Sequence, residues 1–249
     1  MSVERTVCGL HAAQTALEHT PDKVVAAWLD GQRSDARIAK IRQALESLGI
    51  TVQQSDRRRL DKMAGGVNHQ GVILRVQVPA EQGENALLDL LTQLDHPPLF
   101  LVLDQVQDPH NLGACLRTAD AAGVDGVIVT KDQSVALTPT VFKVASGAAE
   151  TVPVFRVTNL ARTLRDLKDA GVWITGAAGD APQSVYQTDL KGPLALVVGG
   201  EGKGMRRLTR EHCDVLVSLP MRGQVESLNL SVAAGVLLYE AVRQRALGV

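Results

Sequence analysis

The chain has 249 residues, with 45% apolar, 21% charged and 3% aromatic side chains and a formal net charge of −1. This length allows one large or two small domains, and the apolar content can fill a core, so a disordered chain is excluded. A near-neutral balance argues against a generic nucleic-acid coat, no apolar run reaches the ~18 residues of a membrane helix, and Cys8, Cys115 and Cys213 offer neither a disulfide framework nor a zinc spacing.

Residues 1–77 hold 11 Lys and Arg against 8 Asp and Glu. Glu4, Arg5, His11 and Glu18 break up any secretory apolar core, so a cytoplasmic protein is expected. Residues 9–19 read as a helix and 24–29 as a strand. Residues 34–48 form an amphipathic helix with Ser34 as its expected N-cap, Ile38, Ile41, Leu45 and Leu48 as its stripe, and Gly49 as its stop. Residues 50–54 form a strand. A short helix capped by Ser55 runs to Met63, and 72–78 is the last strand of a small α/β module. Within it, Arg57, Arg58 and Arg59 are either a solvated helix face or a phosphate contact. His69 reads as a structural donor more readily than as a catalyst, and it is also a candidate RNA contact. Residues 78–97 carry four acids and no base, with Pro and Gly at both ends, and read as a linker holding a short helix.

From residue 98 onward, strands are expected at 99–104, 126–130, 152–157, 172–177, 194–199 and 215–219, with helices between most of them. Nearly continuous apolar strands such as LALVV (194–198) imply a parallel sheet buried on both faces. A long apolar helix spans about 229–246. Its Val232, Val236, Leu237, Tyr239 and Val242 exceed one narrow stripe, so one side packs either in the core or on a partner subunit.

Three blocks in this half, 104–117, 197–205 and 219–231, each follow a strand and mix small residues with a few polar ones. Loops at strand ends are where α/β folds place ligands. The first strand is followed by DQVQDP and GEGKG (200–204) has the wrong spacing, so neither a dinucleotide fingerprint nor a P-loop is present. Asn111 is either the cap of a helix starting near Leu112 or a ligand. Arg117 sits among Leu112, Ala114, Cys115, Leu116 and Ala119, where an arginine is paired with an acid or kept for an anion. Glu201 lies between glycines, either as a solvated turn acid or as a carboxylate brought to a ligand. Of Ser227 and Asn229, one caps the last helix and the other is free for a ligand. No metal cluster or catalytic triad stands out.

The strings DPHNLGACLR (108–117), GGEG (199–202) and SLNLS (227–231), in this order, resemble the SpoU/TrmH family of S-adenosylmethionine-dependent RNA ribose 2′-O-methyltransferases. VASGAAE (144–150) and RRLTREHCD (206–214) strengthen the resemblance. GLHAA (9–13) and HQGV (69–72) are similar to its bacterial members that methylate a guanosine ribose in 23S rRNA. The resemblance implies an RNA-binding, ribosomal-protein-like α/β domain over 1–77 and a SPOUT catalytic domain over 98–249. The latter would be an α/β knot, a trefoil-knotted parallel sheet. It implies a homodimer through the catalytic domain, S-adenosylmethionine as cofactor, no metal, and 23S rRNA or a large-subunit precursor as partner, with the peptidyltransferase-centre loop as target. Asn111, Arg117, Glu201, Ser227 and Asn229 fall on the family's active-site positions. Gly199, Gly200, Glu201, Gly202, Leu219, Met221 and Leu228 fall on its cofactor pocket. The alternatives are the same reaction on tRNA or another rRNA site, and a noncatalytic RNA-binding protein. Two departures stand out. Gly200 replaces a more usual Asn, Ser or Ala and is expected to loosen the loop, and Cys8 stands where an aromatic is more typical.

Overall fold

A computed structural model of the chain describes residues 2–79 and 81–247. It divides into two compact units, Met1–Ala80 and Glu81–Val249.

The first unit runs β1 (Ser2–Cys8), α1 (Leu10–His19), β2 (Val24–Asp30), α2 (Ala36–Ser47), β3 (Val52–Ser55), α3 (Arg57–Ala64) and β4 (Val72–Pro79). The sheet order is β1-β4-β2-β3, with β4 antiparallel to both neighbours and β3 parallel to β2. Trp28, Leu60 and Ile73 close one part of its core. Strand β1 lies outside the predicted elements, because Glu4 and Arg5 hide its alternation. The caps differ from expectation by one residue each. Asp35, not Ser34, receives the N–H groups of Arg37 and Ile38, and Asp56, not Ser55, receives that of Arg59. In both cases a carboxylate stands next to the first turn, where it also complements the helix dipole. Leu48 lies past the end of α2 and is 44% exposed, so it drops out of the stripe.

The second unit begins with α4 (Glu84–Gln93). The composition of this segment predicts a linker, of which Ala80 lies outside the described residues. Instead, Leu87 is fully buried in one core with Phe100, Phe155 and Leu164. Gln82 bridges to Phe155, and the Glu84 carboxylate accepts from Thr158 N–H. The apolar stripe of α4 is there to be buried, and the unit boundary falls at 80/81.

The rest runs β5 (Leu99–Asp104), α5 (Pro109–Ala121), β6 (Gly126–Thr130), α6 (Pro139–Ala145), α7 (Ala148–Thr151), β7 (Val154–Val157), α8 (Leu160–Asp169), β8 (Trp173–Ala177), β9 (Gln183–Ser184), β10 (Leu194–Gly199), α9 (Arg207–His212), β11 (Val215–Ser218) and α10 (Leu230–Leu247). Seven strands form one sheet in the order β7-β6-β5-β10-β8-β11-β9, every pair parallel. Every residue of β5 is buried, as its unbroken apolar run requires. Only the two-residue β9 lacks a counterpart among the expected strands.

Helix α5 leads from β5 to β6 on one side of β5, and β10 lies on the other side. That reversal is a topological switch point, where α/β sheets open a crevice beyond their strand ends. Gly199 and Asp104 are register partners, so the loops after β10 and β5 leave the sheet at one level. The chain passes from β10 to β11 beyond β8, and α10 then returns to pack on α5 and β10. Gly113 lets α5 and α6 touch: a Cβ there would stand 2.7 Å from Val144 Cβ.

Candidate active site

The three polar blocks meet at this crevice. Asp108 caps α5, accepting from His110 N–H, with Pro109 in the first turn. Asn111 is therefore inside the helix and is not its cap, which frees its amide. Its Nδ2 donates to Glu201 Oε1 at 2.7 Å, and its Oδ1 accepts from Asn229 Nδ2 at 3.0 Å. These links span 90 and 118 residues of sequence. Glu201 Oε2 also accepts from Gln107 N–H at 3.4 Å. Asn229 has two roles. Its Oδ1 accepts from Ser231 N–H and Oγ–H and from Val232 N–H, which caps α10, while its amide nitrogen serves Asn111. Ser227 lies in the exposed stretch before α10, and no side-chain hydrogen bond engages it among the described residues.

Arg117 lies further along α5 and is exposed, with a hydroxyl rather than an acid as its partner. Its Nη1 donates to Ser146 Oγ at 3.4 Å. Ser146 ends α6 at φ 52° and Gly147 follows at φ 100°, so a left-handed turn carries this hydroxyl to the arginine. Cys115, buried in the same helix, has its thiol pushed up to about 12 by burial, with the Glu201 charge adding to the effect. It is an inert packing group.

The loop after β10 is closed on itself. Gly200 bridges to Gly204, and Gly202 and Gly204 have φ of 78° and 66°. A Cβ on Gly199 would fall 2.1 Å from Gly204 C and Met205 N, so only glycine fits. A Cβ on Gly200 would fall 2.6 Å from Gln105 O. Glycine at 200 thus allows close approach to the β5 end, where a looser loop was expected.

Asp104 and Arg206 were not singled out from the sequence. Asp104 has no exposed surface, and its two oxygens accept from Arg206 N–H at 2.9 Å and Nε–H at 2.8 Å. The signal was an acid ending an otherwise apolar, doubly buried strand, since a buried carboxylate needs a partner.

Beyond β11, among the described residues, no backbone–backbone hydrogen bond engages residues 221–228. This stretch carries the exposed apolar side chains Val225 and Leu228, with Leu219 and Met221 half-buried beside them. It presents backbone donors and acceptors that no other backbone group engages, next to apolar surface. That donor set fits a ligand with a heteroaromatic edge, an apolar linkage and an amino-acid end. Among the described residues no group of three His, Cys, Asp or Glu is placed to hold a metal ion.

In the first unit, Arg57, Arg58 and Arg59 are exposed on α3. Arg57 lines a cleft of about 460 Å³ with Asp30, Arg33, Asn68 and Gln70. His69 is only 6% exposed. Its Nδ1 accepts from Gly71 N–H and its Nε2 faces Asp61 Oδ1, each at 3.0 Å. With both nitrogens occupied, it shapes the turn before β4 rather than offering a ring nitrogen to RNA.

Residues 98–239 match the SpoU rRNA Methylase family, and residues 6–82 match an RNA 2′-O ribose methyltransferase substrate-binding family. The chain belongs to the SpoU family of RNA methylases. Among its relatives are proteins named 23S rRNA (guanosine-2′-O-)-methyltransferase RlmB. That of Haemophilus influenzae is 56% identical over 96% of this chain and 97% of its own. That of Shewanella oneidensis is 53% identical over 98% and 99%. In structure, the chain is similar to the SpoU methyltransferase AviRb of Streptomyces viridochromogenes, solved in complex with AdoMet. The TM-score is 0.77 at 28% identity, covering 98% of this chain and 91% of that one.

Proposed function

We propose that the protein transfers a methyl group from S-adenosylmethionine to the ribose 2′-oxygen of a guanosine in 23S rRNA, within the peptidyltransferase-centre loop, in the cytoplasm. Identity above half over nearly the whole length of the RlmB relatives carries this reading. It includes the substrate-binding unit, where a change of RNA target would be written.

S-adenosylmethionine supplies an activated methyl on a sulfonium, so no metal is required for the transfer. Gly199, Gly200, Gly202, Leu219, Met221 and Leu228 would hold it, through the closely approaching backbone of the glycine loop and the unbonded backbone and apolar side chains of the stretch beyond β11. A ribose hydroxyl is a weak acid and a poor nucleophile, so the protein's task is alignment and removal of a proton. Arg117 is exposed, with a hydroxyl as its hydrogen-bond partner, which leaves its fork available to a phosphate and to the charge developing on the ribose oxygen. A guanidinium stays protonated at neutral pH, so the proton leaves to the neighbouring phosphate or to Glu201. Glu201 and Asn229 fix Asn111 from both sides, which gives the ribose a preset amide. Ser227 is free to contact substrate from the exposed stretch that precedes α10.

We assign the phosphate contacts of the first unit to Arg57, Arg58 and Arg59. We also assign a homodimer through the second unit. Val232 and Tyr239, each 51% exposed, share one side of α10, opposite the buried Ala234, Leu237 and Ala241. Ribose-methylation mapping of 23S rRNA from a deletion strain tests the function. One guanosine loses its 2′-O-methyl group and regains it on complementation, whereas an unchanged 23S map with a lost tRNA methylation would overturn the target.

A further inference from the structure

Asp104 lies against the start of the glycine loop and binds its end. At its start, the Asp104 carbonyl sits 3.1 Å from where a Gly200 Cβ would be. At its end, the Asp104 carboxylate takes both the backbone N–H and the Nε–H of Arg206. Met205, between that grip and the loop, is buried in the core. A buried carboxylate held by a half-exposed cation is a poor device for stability, because an apolar residue of similar size can do as well or better. Its strength is fixed geometry, and here it joins the end of β5 to Arg206, 102 residues away, just past the loop that bears Glu201.

We propose that Asp104 and Arg206 are a positioning pair for the cofactor loop, holding it closed on the end of β5 so that its backbone meets adenosylmethionine and Glu201 meets Asn111. The inference rests on the reading of residues 199–204 as the cofactor loop. Neither residue touches the reacting atoms.

Calorimetric titration with S-adenosylhomocysteine tests it. Arg206→Ala removes one bond from a half-exposed side chain and leaves the backbone bond to Asp104. Its affinity should fall about tenfold, the loss of one charge-assisted hydrogen bond, and KM for adenosylmethionine should rise alike. Its affinity for a 23S rRNA transcript should stay within about twofold, and its melting temperature near that of the wild type. Arg206→Lys returns a cation to the buried carboxylate and should bind within about threefold of the wild type. The double variant Asp104→Asn/Arg206→Ala should bind no worse than Asp104→Asn, since the two act as one unit. If Asp104→Asn does not fold, the two Arg206 variants decide alone. Affinity in Arg206→Ala within about twofold of the wild type would overturn the proposal. So would a loss that tracks the melting temperature and extends equally to RNA. A wild type that fails to bind S-adenosylhomocysteine would overturn the proposed function itself, a separate result.

Discussion

Arg117 hydrogen-bonds through one nitrogen to a hydroxyl, so its planar fork is open. Arg117→Lys keeps the charge and loses the fork; kcat should fall about a hundredfold with unchanged S-adenosylhomocysteine affinity, read in single-turnover assays. Full kcat in that variant would remove the bidentate role. At Gly199 the neighbouring backbone lies 2.1 Å from a Cβ position, so Gly199→Ala must open the loop and should abolish S-adenosylhomocysteine binding in the same titration. Burial holds the thiols of Cys115 and Cys213 up at about 12. At pH 8 both should resist alkylation in the native protein and react on unfolding, as followed by mass spectrometry; rapid native labelling of Cys115 would contradict its burial. Residue chemistry was legible where type and place conflicted, as with an acid between glycines. It was not legible where a side chain's job is set by a partner a hundred residues away. Asn111 is ambiguous in sequence because only the helix start at Pro109 decides its role, and the role of Asp104 is hidden because Arg206 is remote from it in sequence.

Helix α10 carries a buried carboxylate, Glu240, bonded to the exposed Arg243. Arg243 first, and then Gln244, hydrogen-bond the Glu240 carboxylate and hold it down at about 2, from an ordinary 4.5. Because the folded value lies below the unfolded one, the stabilisation is complete above pH 4.5 and is lost as pH falls toward 2. Thermal melts of the wild type should therefore drop more steeply between pH 6 and pH 3 than those of Glu240→Gln, and parallel curves would show that the pair contributes nothing. On α3, replacing Arg57, Arg58 and Arg59 by alanine should weaken rRNA binding and lower its logarithmic salt slope by ~1 for each phosphate left without its cation, as read by titrations at several salt concentrations. The elements themselves were largely legible, because unbroken apolar runs and a helical period are local properties. What escaped were β1 and β9, whose strand character comes from pairing with β4 and β11 rather than from their own residues. Cap positions shifted by one because two polar residues in a row compete for one turn. The stripe of α4 was legible, but its destination in the core of the second unit was not.

For the whole molecule, parallel pairing followed from composition, whereas strand order, and hence the meeting of the three blocks, came only with the fold. The proposed dimer makes a prediction at this scale. Val232→Glu with Tyr239→Glu places like charges on the exposed side of α10 and should give monomers in sedimentation velocity, and a variant that stays dimeric would move the interface elsewhere. The path of the chain bears on when the protein becomes active during its own synthesis. Strand β10 enters between β5 and β8 after both have been made, and Asn229 completes the polar constellation from the start of α10. A nascent chain can form the first unit early, but until β10 emerges from the ribosome the second sheet has a gap at its centre. Competence to bind the methyl donor thus arrives late, once α10 has followed, so an unfinished polypeptide could hold RNA but could not modify it.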